Sequence, residues 1–334
     1  MATEPVQGNK NLNEEIIQWG CNYLASHRYR LKSTQPEHVQ NTPWSYVVRF
    51  ITSDGYIYLK HTPPLLALEP LITNILHDQF HASVPEVIAV NAELNCFLMK
   101  DAGRPLREIL KKRFDPILLC KSIEQFTSIQ LAVASNVDNF LDIGVPDWRL
   151  EKLPVLYQQL LSQKDLLMED GLSKIERNEL ESLLPTIIHL CKKLSNYSLK
   201  QTFVQCDFHD NNILISDLSQ TITFIDLGEI VISHPFFSLV GCLRQAMFHH
   251  ALTKEDDIYL RLLDACLKNY LVFESKSHLF DAFVIAQLLW FVYEALAQYR
   301  LRIACDEARF LSFQRQGKLS GRLKELMAAC RAID

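Results

Sequence analysis

Residues 205–215 read Gln205-Cys206-Asp207-Phe208-His209-Asp210-Asn211-Asn212-Ile213-Leu214-Ile215, an Asp five positions ahead of an Asn and directly before an apolar run of strand type. Nineteen residues after Asp207 comes Phe224-Ile225-Asp226-Leu227-Gly228, a second strand ending in Asp-Leu-Gly. Together they predict a strand–loop–strand–loop unit with the parts that phosphoryl transfer needs: one carboxylate to accept a hydroxyl proton, and an Asn and a second Asp to hold Mg²⁺ against phosphates. An Asp-x4-Asn spacing alone arises by chance about once in a chain this long, so the reading depends on its surroundings.

Upstream, residues 45–51 and 56–60 are rich in β-branched and aromatic side chains and flank Thr52-Ser53-Asp54-Gly55, whose Asp-Gly pair signals a hairpin. Lys60 ends the second strand, and Glu69 falls on the helix-like run 65–77 that follows Pro63-Pro64. A strand-end Lys is most often a solvated edge charge and a helix-start Glu a dipole partner. Their order ahead of Asp207 and Asp226 instead suits a Lys on nucleotide phosphates and a Glu that orients it. A leading helix over 11–28, a polar connection up to Asn41, and short strands at 87–90 and 96–99 around an Ala92–Asn95 turn complete a small sheet crossed by one helix.

After Lys100-Asp101-Ala102-Gly103 the periodicity turns helical, at 116–135, 150–163, 174–194, 254–271 and 278–302, interrupted by short strands at 202–205, 213–216 and 221–225. The fold class expected is α+β, with a β-rich lobe over 1–102 and a larger, mainly helical lobe over 103–334 that carries the catalytic loop and acceptor site.

The 334 residues carry a net charge of −5, with no excess of Lys and Arg for a nucleic-acid backbone, so no nucleic-acid partner is expected. The nine cysteines are scattered singly without zinc spacing, which suits a reducing compartment. The N-terminus MATEPVQGNKN lacks a signal or lipidation pattern, and the apolar stretch 282–297 is interrupted by Gln287 and Glu294. A cytoplasmic protein without a membrane span is expected, and no protein partner is indicated.

In these motifs the chain resembles the aminoglycoside phosphotransferase family, the branch of the protein-kinase-like fold that includes choline and fructosamine kinases. The resemblance spans roughly residues 40 to 300 and rests on Thr42-Pro43-Trp44-Ser45, Tyr58-Leu59-Lys60, Glu69, Phe97-Leu98-Met99-Lys100-Asp101-Ala102-Gly103, and the two Asp motifs. It implies a two-lobed protein-kinase-like fold with ATP or GTP in the cleft. Asp207 is then the catalytic base, Asn212 and Asp226 ligate Mg²⁺, Lys60 meets the phosphates with Glu69 orienting it, and Met99 lies on the inter-lobe connection. Gln205-Cys206 stands where relatives commonly have His-Gly, and Ser233-His234-Pro235 where they often have Gly-Asp-Pro. The loop before the first of these strands has no glycine, which leaves phosphate contacts to Ser45 and to backbone N–H groups near Trp44. His209 is a secondary catalytic candidate.

No long Ser/Thr-bearing segment or Ala-Pro-Glu follows Asp226, so a small-molecule acceptor is expected rather than a peptide. The resemblance places that acceptor between the catalytic loop and the C-terminal helices, where Glu294, Trp290 and Tyr293 are the principal candidates, with Tyr299 and Asp306 behind them. Gly144-Val145-Pro146-Asp147-Trp148-Arg149 reads first as a turn opening a helix, with an acceptor contact by Asp147 or Arg149 as its alternative. Glu294, with apolar neighbours, needs a partner such as Arg300, Arg302 or a substrate amine. The activity expected is Mg²⁺-dependent transfer of a γ-phosphate to the hydroxyl of a small acceptor, for which an amino-bearing compound is suited. A catalytically silent nucleotide- or partner-binding protein, or an enzyme that transfers the nucleotide itself, are the alternatives.

Overall fold

A computed structural model describes residues 7–332, so the reading of the N-terminus falls partly outside the described residues. Helix α1 (Gln7–Ser26) precedes an antiparallel sheet of β1 (Glu37–Asn41), β2 (Tyr46–Thr52), β3 (Gly55–His61), β4 (Val87–Asn91) and β5 (Cys96–Lys100), in the order β1-β2-β3-β5-β4. Strand alternation turns Val48, Phe50, Ile57, Leu59 and Leu98 to one side, where they form a small core with Ile16 and Leu24 of α1. The same alternation sends Tyr58, Lys60 and Met99 to the opposite side, Met99 lying directly across from Tyr58. Helix α2 (Glu69–Phe80), with Pro70 in its first turn, runs between β3 and β4.

The polar stretch before Asn41 is not a plain connection, because β1 lies within it. All five of its residues are exposed, so no apolar alternation marks it, and it is held by backbone pairing with β2. Asp101–Gly103 then leads out of the sheet. Gly103 has φ +119°, and a Cβ there would stand 2.2 Å from the Ile215 carbonyl oxygen, so both backbone shape and close approach require glycine.

The remainder comprises β6 (Arg104–Pro105), α3 (Leu106–Lys112), α4 (Pro116–Val133), α5 (Asp138–Leu141), α6 (Leu153–Leu161), α7 (Lys164–Glu169), α8 (Lys174–Ser182) and α9 (Leu184–Leu194). These are followed by β7 (Thr202–Val204), β8 (Ile213–Ile215), β9 (Ile222–Phe224) and β10 (Val231–Ser233). The chain closes with α10 (Phe236–His250), α11 (Asp257–Lys268), α12 (Lys276–Ala304), α13 (Glu307–Ser312) and α14 (Lys318–Arg331). The single helical run expected over 174–194 is two helices, since Pro185 opens a new first turn. Helix α10 was not marked by amphipathic spacing because it is buried nearly all round, from Phe236 to Leu243. At 29 residues α12 is long and apolar enough to cross a membrane, more than its sequence suggested, but α6, α9, α10 and α14 pack around it and it forms the centre of the large core.

Candidate active site

Strands β8 and β9 pair antiparallel, Ile213 opposite Phe224, so the loops before β8 and after β9 emerge side by side. This brings Asp207 and Asn212 next to Asp226. Phe208, stacked on Phe126 at 3.8 Å, anchors the first loop in the large core while leaving the neighbouring Asp207 side chain 51% exposed. His209 is buried. Its Nδ1 accepts from the Asn211 backbone N–H at 3.1 Å, which puts the ring proton on Nε2, 3.1 Å from Asp207 Oδ1. The Asn212 amide nitrogen donates to the Asp207 carbonyl at 2.8 Å and reaches its carboxylate at 3.3 Å. The surrounding protein disfavours charge on Asp207, but the hydrogen bonds from His209 and Asn212, with Arg315 further out, outweigh this and hold its pKa below the ordinary carboxylate value.

Asp226 has φ 63° and ψ 53°, left-handed backbone that Asp tolerates better than most residues. Two neighbours hold it there. Lys60 Nζ lies 2.5 Å from Asp226 Oδ1 and 2.6 Å from Glu69 Oε2, while Gln205 donates its side-chain amide to the carbonyls of Ile225 (2.8 Å) and Asp226 (3.0 Å). Burial alone would discharge Lys60; the charges of Asp226 and Glu69 reverse that and keep the ammonium protonated. Glu69 also accepts from the Leu227 N–H at 3.2 Å, and a Cβ at Gly228 would press on Glu69 Oε2 at 3.3 Å. Gln205 thus ties the two loops together. Cys206 is enclosed by Tyr293, whose hydroxyl meets its sulfur at 3.0 Å, and burial pushes its thiol pKa upward.

The remaining sequence candidates divide. Glu294 is half-buried beside this cluster, and burial pushes its pKa up to about 7 despite a 2.8 Å hydrogen bond from Gln298. Its partner is therefore Gln298 and neither arginine expected. Arg300 instead clasps the carbonyls of Leu65, Gly228 and Ile230, and Arg302 is buried among Glu169, Asp170 and Glu307. Tyr293 does not line the cleft: it is 0% exposed, stacked on Phe237 and edge-on to Trp148. Trp290 is also buried, with Arg244 over its ring at 4.7 Å and Arg322 at 5.6 Å. Asp147 is spent on Arg149 and Lys152, which offset burial and lower its pKa to about 2. Asp306 caps α13, and Tyr299 packs against the large core.

Ser45 sits in the tight turn between β1 and β2, buried, with its hydroxyl unpartnered. Next to it, Trp44 packs edge-on to Phe310 and Phe313, so this turn rests on the C-terminal segment. A cavity of about 720 Å³ between the sheet and the helical part is lined by Arg49, Tyr58, Asp101, Gly103, Ser216 and Thr223. Arg49 and Tyr58 escaped the sequence reading, although strand alternation from Lys60 points to Tyr58. Also unread was the buried trio in which Asp210 receives Arg107 Nε at 2.7 Å and lies 2.9 Å from His250 Nε2, fixing the middle of the loop between β7 and β8 to α3 and α10. Among the described residues there is no cluster of three or more His, Cys, Asp or Glu side chains placed to bind a metal.

No curated protein matches the sequence. Solved structures share its fold: an amicoumacin kinase described with AMP-PNP and Ca²⁺ (15% identity, TM-score 0.59, 96% of each chain), a Plasmodium vivax ethanolamine kinase (10%, 0.56, 86% of this chain and 84% of that one), and a choline kinase from Streptococcus pneumoniae (13%, 0.56, 92% and 98%). The family model described as the phosphotransferase enzyme family matches residues 38–271, which include Lys60, Glu69, Asp207, Asn212 and Asp226. The chain belongs to that family, whose members transfer phosphoryl groups to hydroxyls of small molecules.

Proposed function

We propose that this chain is a Mg²⁺-dependent kinase that moves the γ-phosphate of ATP or GTP to the hydroxyl of a small, amino-bearing acceptor. The observation that carries the reading is the meeting of Lys60, Glu69 and Asp226 with Asp207 and Asn212 around one cleft, from segments up to 166 residues apart. Asp207, ionised and half exposed, accepts the acceptor's proton. His209 is a positioning group, since its proton-bearing Nε2 can only donate to Asp207. Asn212 spends its amide nitrogen on Asp207, which leaves its Oδ1, with Asp226, to hold Mg²⁺. Held there, Mg²⁺ would neutralise phosphate charge. Lys60, oriented by Glu69, reaches the phosphates, Ser45 offers its free hydroxyl, and the base lies against Tyr58 and Met99.

Glu294 and Glu229 give the acceptor side a wall of carboxyl groups that burial keeps partly protonated. Burial and the neighbouring Asp207 and Asp226 push Glu229 up to about 8, so both side chains gain when a cation arrives. This supports an acceptor amine near Glu294; Trp290 and Tyr293 support the wall from behind. The composition and fold suit a cytoplasmic enzyme.

The test is a panel of amino alcohols, amino sugars and aminoglycosides incubated with Mg²⁺ and either nucleotide, with products read by mass spectrometry. Gain of one phosphoryl group by an acceptor, absent with Asp207→Asn, is the expected result. A nucleotidyl-sized gain would replace the kinase reading with nucleotide transfer.

A further inference from the structure

The turn of β1 and β2 that faces the phosphates has few donors to spare. Thr42 N–H and Oγ1 both donate to the Ser45 carbonyl, at 2.8 and 3.1 Å, and the Ser45 N–H donates to Thr42 Oγ1 at 3.0 Å. Pro43 has no N–H, and no glycine loosens the turn. Lys60 is shared between two carboxylates, while Asp207, Asp226 and Glu294 stand close enough to Glu229 for their charges to act on it, so acidic groups crowd the candidate site. A polyanion in such a site needs a further cation on the acceptor side.

Arg315, in the short connection between α13 and α14, stands there. Its guanidinium carbon is 5.0 Å from the centre of the Trp44 ring at the turn, and its Nη2 donates at 2.8 Å to Gln298 Oε1. Gln298 in turn donates to Glu294, so Arg315 joins the phosphate-side turn to the acceptor wall. Its charge also favours the ionised forms of Asp207 and Glu294. Its Nε is buried without a hydrogen-bond partner, and buried donors are rarely left so. The planar fork, held by Trp44 on one face, has donors free for an anion.

We propose that Arg315 donates hydrogen bonds to the equatorial oxygens of the phosphoryl group in transit, a catalytic cation supplied by the chain's own C-terminal segment. In that step the bond from the γ-phosphorus to the bridging oxygen breaks and its electron pair leaves with the nucleoside diphosphate. The bond to the acceptor oxygen forms, the acceptor proton passes to Asp207, and Arg315 exchanges no proton. The inference rests on the phosphotransferase reading.

The experiment compares binding of Mg²⁺·AMP-PNP, Mg²⁺·ADP, and Mg²⁺·ADP with aluminium fluoride, a mimic of the phosphoryl group in flight, by calorimetry. The proteins are wild type, Arg315→Gln and Arg315→Lys. The expected result is that aluminium fluoride tightens ADP binding in the wild type and that Arg315→Gln loses most of that gain, on the order of a hundredfold. AMP-PNP affinity should change by no more than a few-fold, and Arg315→Lys should recover part of the gain. Full retention of the gain in Arg315→Gln, or equal weakening of all three ligands, would overturn the proposal, the latter reducing Arg315 to a brace for Trp44. Failure of the wild type to bind any Mg²⁺·nucleotide would overturn the phosphotransferase reading itself.

Discussion

At the scale of single residues, the site depends on which groups can release and which can only hold a proton. Asp207 is kept ionised by donors, so Asp207→Asn should lower phosphoryl transfer by about 10²–10⁴-fold while nucleotide affinity stays within a few-fold, measured by single-turnover kinetics and calorimetry. Glu294 and Glu229 behave in the opposite sense. Burial raises their folded-state values to about 7 and about 8, above the roughly 4.3 of an unfolded glutamate. Between about pH 4 and pH 8 the folded state therefore holds more protons than the unfolded one, and these groups lower stability as pH rises. Glu229→Gln is expected to raise the thermal midpoint relative to wild type at about pH 8.5 and to leave it unchanged near pH 4; an equal shift at both would mean that charge is not the cause. Asp207, Asn212 and Asp226 were legible because they sit at fixed offsets beside apolar strands. Arg315, Gln298 and the Arg107–Asp210–His250 trio were not, because each meets the site only through tertiary packing.

Elements matter here for what they bring into reach. Gly103 lets the chain pass against the Ile215 carbonyl as it leaves the sheet, and Gly103→Ala combines a 2.2 Å overlap with an unfavourable φ. A loss of about 2 kcal/mol or more is expected in urea unfolding, and wild-type stability would show that the connection can move aside. The turn before β2 is tied down through Trp44 to a separate small cluster of Leu66, Leu301 and Phe310. Phe310→Ala should lower unfolding free energy by about 3 kcal/mol and weaken Mg²⁺·AMP-PNP binding, since the turn loses its seat. Stability lost without any change in nucleotide affinity would separate that cluster from the site. The hairpin of β2 and β3 announced itself through Asp54-Gly55 and alternating residues. Strand β1, wholly exposed, and the first half of α10, buried all round from Phe236 to Leu243, carry no amphipathic contrast, so pattern alone could not place them.

For the whole molecule, the two-part α+β architecture followed from the change of periodicity after Gly103. How closely the parts meet did not, since the C-terminal segment beyond residue 305 returns to touch the first hairpin through Phe310, Phe313, Arg315 and the Arg309–Asn41 hydrogen bond. A nucleotide bound between the parts would cross-link them and stabilise the whole chain by RT ln(1 + [L]/Kd), about 2.7 kcal/mol at a hundredfold excess over Kd. The most direct measurement is therefore the thermal midpoint with ATP and with GTP, each with and without Mg²⁺, for wild type and Asp226→Ala. A Mg²⁺-dependent rise with at least one nucleotide, lost in Asp226→Ala, is expected. No rise with either nucleotide in the wild type would contradict a nucleotide-using enzyme and point to a silent, partner-binding role for the same fold.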